Sequence, residues 1–178
     1  MPLKELLEKF AAEGRLNEQP VLVSDGTLTV HADAATIAAL PSASVVEALR
    51  GHLARAGAGD YIALLDYIEE TPENESLIQQ IRTHLRDATR CATTTGYGPR
   101  FLHSTGQLHK GGPATGVFIQ VTAADRTDLP IPNQPYTVQH PEASSGARRF
   151  PFVVVTGGRR AIRVDLGTDT TGGSAQAA

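Results

Sequence analysis

Eight residues, Tyr61 to Ile68, form a nearly continuous apolar run between Gly59-Asp60 and Glu69-Glu70. Its length and its flanks favour a strand over a helix, and the lack of alternation leaves that strand no solvent-facing side. Such a strand belongs in a parallel sheet covered on both faces. The following residues fit this frame. Thr71-Pro72 sets a capping hydroxyl before a proline at the first helical position. Leu77, Ile78, Ile81 and Leu85 then give a helix its buried face as far as about Arg90. Cys91 to Thr95 reads as the next strand, stopped by Gly96, and Gly116 to Thr122 as a third and clearer one. Strand, helix, strand and a polar loop leading to another strand predict a layered α/β fold with a mainly parallel sheet flanked by helices.

The remaining segments attach to that frame. Leu3, Leu6, Leu7 and Phe10 recur at helical spacing before Gly14. Val21–Ser24 and Thr27–Val30 flank Asp25-Gly26, a hairpin signal. A short helix is expected from Asp33 to Leu40, stopped by Pro41, and a second runs from a Ser44 cap through Leu53 toward Gly57. The prolines at 130, 132 and 135 mark an irregular stretch, and residues 142–149 read as loop. Phe152–Val155 and Ala161–Leu166 are late strand candidates around Gly157-Gly158. The expectation is one α/β domain over 1–166 and a Gly/Thr/Ser/Ala-rich flexible tail over 167–178.

Composition narrows the function classes. The 178 residues suffice for one sizeable core. A net charge of −3 and the lack of any polybasic run argue against a nucleic-acid partner. No run reaches the roughly 20 apolar residues that span a bilayer, so no membrane partner is expected. Cys91 is the only cysteine, which excludes an intramolecular disulfide and fits a cytoplasmic setting.

The chemistry concentrates between Gly96 and Pro113. From Arg100 to Lys110 the chain holds His103, Ser104, Thr105, Gln107 and His109 besides the two cations. In open α/β sheets ligands gather outside the carboxyl ends of strands, where this loop is expected. His103 and His109 have no cysteine or carboxylate at ligand spacing, so no metal site is expected. Gly111-Gly112 lacks the spacing of a P-loop. Ser104 and His109 lack an identifiable orienting acid for nucleophilic catalysis.

The stretch Thr93-Thr94-Thr95-Gly96-Tyr97-Gly98-Pro99-Arg100-Phe101-Leu102-His103-Ser104-Thr105-Gly106-Gln107-Leu108-His109-Lys110-Gly111-Gly112-Pro113, with Thr115 to Thr122 after it, resembles the phosphoglucose isomerase region of bifunctional transaldolase/phosphoglucose isomerase proteins. Asp60–Leu65, Arg86–Arg90, Asp128–Pro132 and Arg159–Gly167 extend the similarity. The resemblance implies interconversion of glucose 6-phosphate and fructose 6-phosphate with no cofactor. It implies His103 as the ring-opening group, because Gln107, Leu108, His109 and Gly111 follow it at roughly the family's spacing. An imidazole with an ordinary pKa of about 6.5 exchanges a proton near neutrality. Lys110 is then expected to stabilise an anionic enediol. Gln107, His109, Arg100, Ser104 and Thr105 are the expected substrate contacts.

The chain departs from that family in three ways. The first isomerase lobe, with its phosphate-binding loop, has no counterpart here. Glu69 and Glu70 sit where a base would be useful but match no motif, and a solvated acidic helix entry is the better explanation of them. Phe150 to Val155 favours a strand where the family tends to a helix. Two functions are therefore expected to compete. One is an isomerase lobe that needs a complementary lobe or a transaldolase partner. The other is a non-catalytic sugar-phosphate-binding or assembly module. In either case an uncovered face makes a homo-oligomer a reasonable expectation.

Overall fold

A computed structural model describes residues 19–97, 105–123, 132 and 159–167, with only the backbone of Lys110. The strands are β1 (Val21–Ser24), β2 (Thr29–His31), β3 (Tyr61–Tyr67), β4 (Ala92–Tyr97), β5 (Gly116–Thr122) and β6 (Arg160–Asp165). The helices are α1 (Ala34–Ala39), α2 (Val45–Leu53), α3 (Pro72–Thr89) and α4 (Thr105–Gly111). The expected first helix, the proline-marked stretch apart from Pro132, the strand over Phe152–Val155 and nearly all of the tail lie outside the described residues.

Local chemistry places most of these elements. At the hairpin, Asp25 Oδ1 accepts from the Thr27 and Leu28 amides at 2.9 and 2.8 Å, an Asx turn that brings β2 back against β1. Asp33, Ser44 and Thr71 each cap a helix by accepting an amide three residues on, at Thr36, Glu47 and Asn74. Pro72 opens α3, whose missing amide hydrogen costs nothing there.

The sheet order is β1-β2-β6-β5-β3-β4. β4, β3, β5 and β6 run parallel, and the β1-β2 hairpin adds to β6 through an antiparallel pairing. The two faces carry different loads. On one, Leu64, Ile119, Ile162, Val164 and Val30 pack with Val45 and Ala48 of α2 and Ile78 of α3. On the other, Ala63, Leu65 and Phe118 form a small cluster edged by Tyr61, Tyr67 and Ala161. His109 of α4 meets Phe118 edge-on there, at a centroid distance of 5.1 Å. Thus α3 and α4 cross on opposite faces, as in doubly wound folds.

Two sequence expectations need correction. β4 runs through Gly96 to Tyr97, because each of its residues pairs with β3, Gly96 opposite Leu65. A ladder fixed by a neighbouring strand outweighs glycine's weak strand preference. The segment read wholly as loop contains α4, a short helix whose buried positions include Gly106 and His109, three apart.

Close approach fixes one glycine. A Cβ on Gly116 would collide with the Phe118 ring and lie 2.9 Å from the Tyr61 hydroxyl. Gly116→Ala is expected to lower stability by roughly 1–3 kcal/mol through overpacking. Urea titration followed by circular dichroism measures this; an unchanged midpoint would show that Phe118 swings clear without cost.

Candidate functional site

The carboxyl ends of β3 and β5 form the switch point of the sheet, because chain leaving β3 enters α3 on one face while α4 precedes β5 on the other. Open α/β sheets bind ligands in that crevice. Polar side chains approach it from both faces.

On the α3 face stands Asp66, next to last in β3 and only 1% exposed. Its Oδ2 accepts from Thr95 Oγ1 at 2.5 Å, while Oδ1 has no hydrogen-bond partner among the described residues. Burial pushes its carboxyl group up to about 6, against the opposing effects of the Thr95 hydroxyl and the Gly96 amide; Glu75 adds to the rise. Tyr97 stands opposite Asp66 in the register. Burial, together with the carboxylates of Glu75, Asp66 and Glu70, pushes its phenol up to about 12.

On the α4 face Leu65, Gln120 and Arg163 share one register row, and Gln120 and Arg163 are both buried. One row nearer the edge, Thr122 donates to Asp165 Oδ2 at 3.0 Å, and Asp165 Oδ1 accepts the Gly167 amide at 2.8 Å. This ties the end of β6 to β5.

The opposite, amino edge is held by two arginines and a histidine. Arg160 makes two contacts of 2.8 Å with the Asp60 carboxylate and donates to the Arg55 and Ala114 carbonyls. That guanidinium holds the Asp60 carboxyl down at about 2. Arg159 donates to the carbonyls of Pro113 and Gly112 at 2.9 and 2.6 Å. His109 stacks on Tyr61 and its Nδ1 lies 2.8 Å from the Tyr61 hydroxyl. Burial, helped by Arg159, lowers its pKa and keeps the ring neutral.

The residues expected from sequence divide accordingly. Thr105 and Gln107 lie on the exposed side of α4, and Lys110 belongs to the same helix. His109, expected as a substrate contact, is fully buried beside Tyr61, the first residue of β3, so its ring fastens α4 to the sheet at the amino end. Arg100, His103 and Ser104 lie outside the described residues. Glu69 and Glu70 are exposed just beyond β3. Sequence reasoning passed over Asp66, Gln120 and Arg163. The available signal was an isolated polar side chain within an apolar run, Asp66 in β3 and Gln120 in β5.

Fold and site together define a doubly wound α/β lobe with polar groups converging at its carboxyl edge. No family model and no curated protein matches the chain. A solved structure of a hypothetical protein from Thermus thermophilus overlays on 66% of this chain with a TM-score of 0.48 and 18% identity. The chain spans 31% of that protein's length. Among the described residues no helix is long and apolar enough to cross a membrane, and no group of three metal-ligating side chains occurs.

Two buried groups set opposing pH dependences. His52 is wholly buried and its Nε2 donates to the Phe118 carbonyl at 3.0 Å. Burial first, and then Arg55, hold it down at about 4 against an ordinary 6.5. The fold therefore binds fewer protons than the unfolded chain, and His52 costs stability as pH falls from 6.5 toward 4, by about 3 kcal/mol at most. Asp66, raised from 3.8 to about 6, does the reverse. Its neutral form is favoured by folding, and stability is lost as pH rises from 3.8 through 6, again by about 3 kcal/mol at most. The wild type should show a shallow profile between pH 4 and 6.5. Asp66→Asn should be more stable than wild type at pH 8 and should expose the His52 slope. Denaturant midpoints across pH measure both, and a less stable Asp66→Asn at pH 8 would refute the assignment.

Proposed function

We propose that this chain is a glucose-6-phosphate isomerase-like lobe that contributes a ring-opening histidine to aldose–ketose isomerisation of a hexose phosphate, together with a complementary lobe. The observation that carries the reading is topological. β4 ends at Tyr97 beside the switch point and α4 begins at Thr105, so the residues of the family resemblance set out from the carboxyl edge. In this reading His103 exchanges a proton with the ring oxygen, and Lys110 offsets negative charge on the enediol. Thr105, Gln107, Arg100 and Ser104 meet sugar or phosphate oxygens. No cofactor enters the reaction, and His109 serves by holding α4.

Charge explains why a second lobe is needed. The amino end of α3, ordinarily attractive to phosphate, carries Glu73 and Glu75 in its first turn and Glu69 and Glu70 just before it. Carboxylates there stabilise the helix and repel a phosphate dianion. The phosphate contacts must come from Arg100, from Lys110 or from the partner lobe.

Calorimetry with glucose 6-phosphate, and isomerisation measured with the chain mixed with a phosphate-binding isomerase lobe, test the reading. Binding is expected for the chain, and turnover for the mixture. His103→Ala should lower that turnover by about 10²- to 10⁴-fold, the usual worth of a positioned acid or base. Thermal protection by hexose phosphate with no turnover in the mixture would favour the non-catalytic binding module. Neither binding nor turnover would dispose of both.

A further inference from the structure

We infer that Asp66, flanked by Thr95 and Tyr97, is a hydroxyl-recognising subsite whose Oδ1 accepts a hydrogen bond from a sugar hydroxyl. The inference rests on the reading that the ligand is a hexose phosphate and goes beyond it by naming a residue that reads the sugar. Three observations carry it. Asp66 stands one residue from the end of β3, at the strand whose carboxyl end opens the switch point. Its side chain is almost completely buried; Thr95 donates to Oδ2 and the Gly96 amide also acts on the carboxyl group, while Oδ1 has no partner among the described residues. Buried carboxylate oxygens are normally satisfied, and one left without a partner near the carboxyl end of β3 offers an acceptor to a donor brought there. Among the described residues only the Glu75 carboxylate acts on Asp66 by charge, and such an acceptor suits a neutral hydroxyl donor. Glu75 of α3 and Tyr97 of β4 are the titratable groups acting on it from the packed elements, with Glu70 close to Tyr97. That surrounding is hostile to phosphate, so the subsite takes the polyol part of the ligand.

A hydroxyl donated to Oδ1 stabilises the ionised carboxylate. Sugar binding should then release a proton from Asp66 below about pH 6, where the free protein holds it. Because a hexose phosphate titrates in the same range, the release must be read as a difference between proteins.

The experiment is calorimetry of the full chain with glucose 6-phosphate and its deoxy analogues, in two buffers of different ionisation enthalpy, at pH 5.5 and 8. Wild type and Asp66→Asn are compared. Asp66→Asn should bind about 10- to 100-fold more weakly, as expected for losing a charge-assisted hydrogen bond. One deoxy analogue should bind wild type more weakly by a similar factor and lose little further on Asp66→Asn. The proton released by wild type at pH 5.5 should exceed that released by the variant. The variant's thermal midpoint at pH 8, expected above wild type, shows that weaker binding is not unfolding. Equal affinities within twofold, or equal sensitivity of both proteins to every deoxy analogue, would overturn the subsite. Wild type that binds no hexose phosphate would overturn the functional reading and the subsite with it.

Discussion

The pairing of β3 with a parallel strand on each side governs this molecule. Five consecutive residues, Ile62 to Asp66, are buried, so β3 can exist only with neighbours along both edges and cover on both faces. The ladders to β4 and β5 supply the edges, α2 and α3 one cover, and α4 part of the other. Parallel strands need crossovers, and taking these on opposite faces leaves a crevice at the carboxyl ends. The location of the candidate site thus follows from burying one apolar strand.

The two edges of the sheet use their polar groups differently. At the amino edge Arg159 and Arg160 together reach four backbone carbonyls and the Asp60 carboxylate, and Tyr61 meets His109. Each of those contacts ties a loop or helix to a strand, and bidentate guanidinium geometry suits that work. At the carboxyl edge Thr95 donates to Asp66 and Thr122 to Asp165, and α3 begins with acidic residues in its first turn.

Sequence made the frame legible wherever the cause was local. Asp25-Gly26, Ser44 and Thr71-Pro72 announce a turn and two helix starts within a few residues, and the structure has them there. Nearly continuous apolar runs marked β3 and β5 because their burial is two-sided. Failures arose where tertiary contacts decide. Gly96 is held in β4 by the neighbouring ladder, and α4 is anchored through His109 by ring contacts with Tyr61 and Phe118, the first of them distant in the chain. His109 itself looked like a ligand because sequence cannot say which way an imidazole turns. Asp66 and Gln120 were hidden for the converse reason: apolar neighbours identify a strand and draw attention from the one polar residue within it.

His52 and Asp66 show what that hidden residue contributes. Both are buried ionisable groups on the face packed by α2 and α3, and burial shifts each toward its neutral form, His52 down to about 4 and Asp66 up to about 6. His52 joins α2 to the Phe118 carbonyl of β5, a hydrogen bond from helix to sheet that explains a neutral imidazole in the core. Asp66 joins β3 to β4 through Thr95, but an apolar residue would have let those two parallel strands pair equally well, since their backbone ladder is complete without it. His52 Nδ1 and Asp66 Oδ1 alike lack a hydrogen-bond partner among the described residues. The difference between the two groups is therefore one of place: His52 lies within the packed body, and Asp66 lies where the sheet opens.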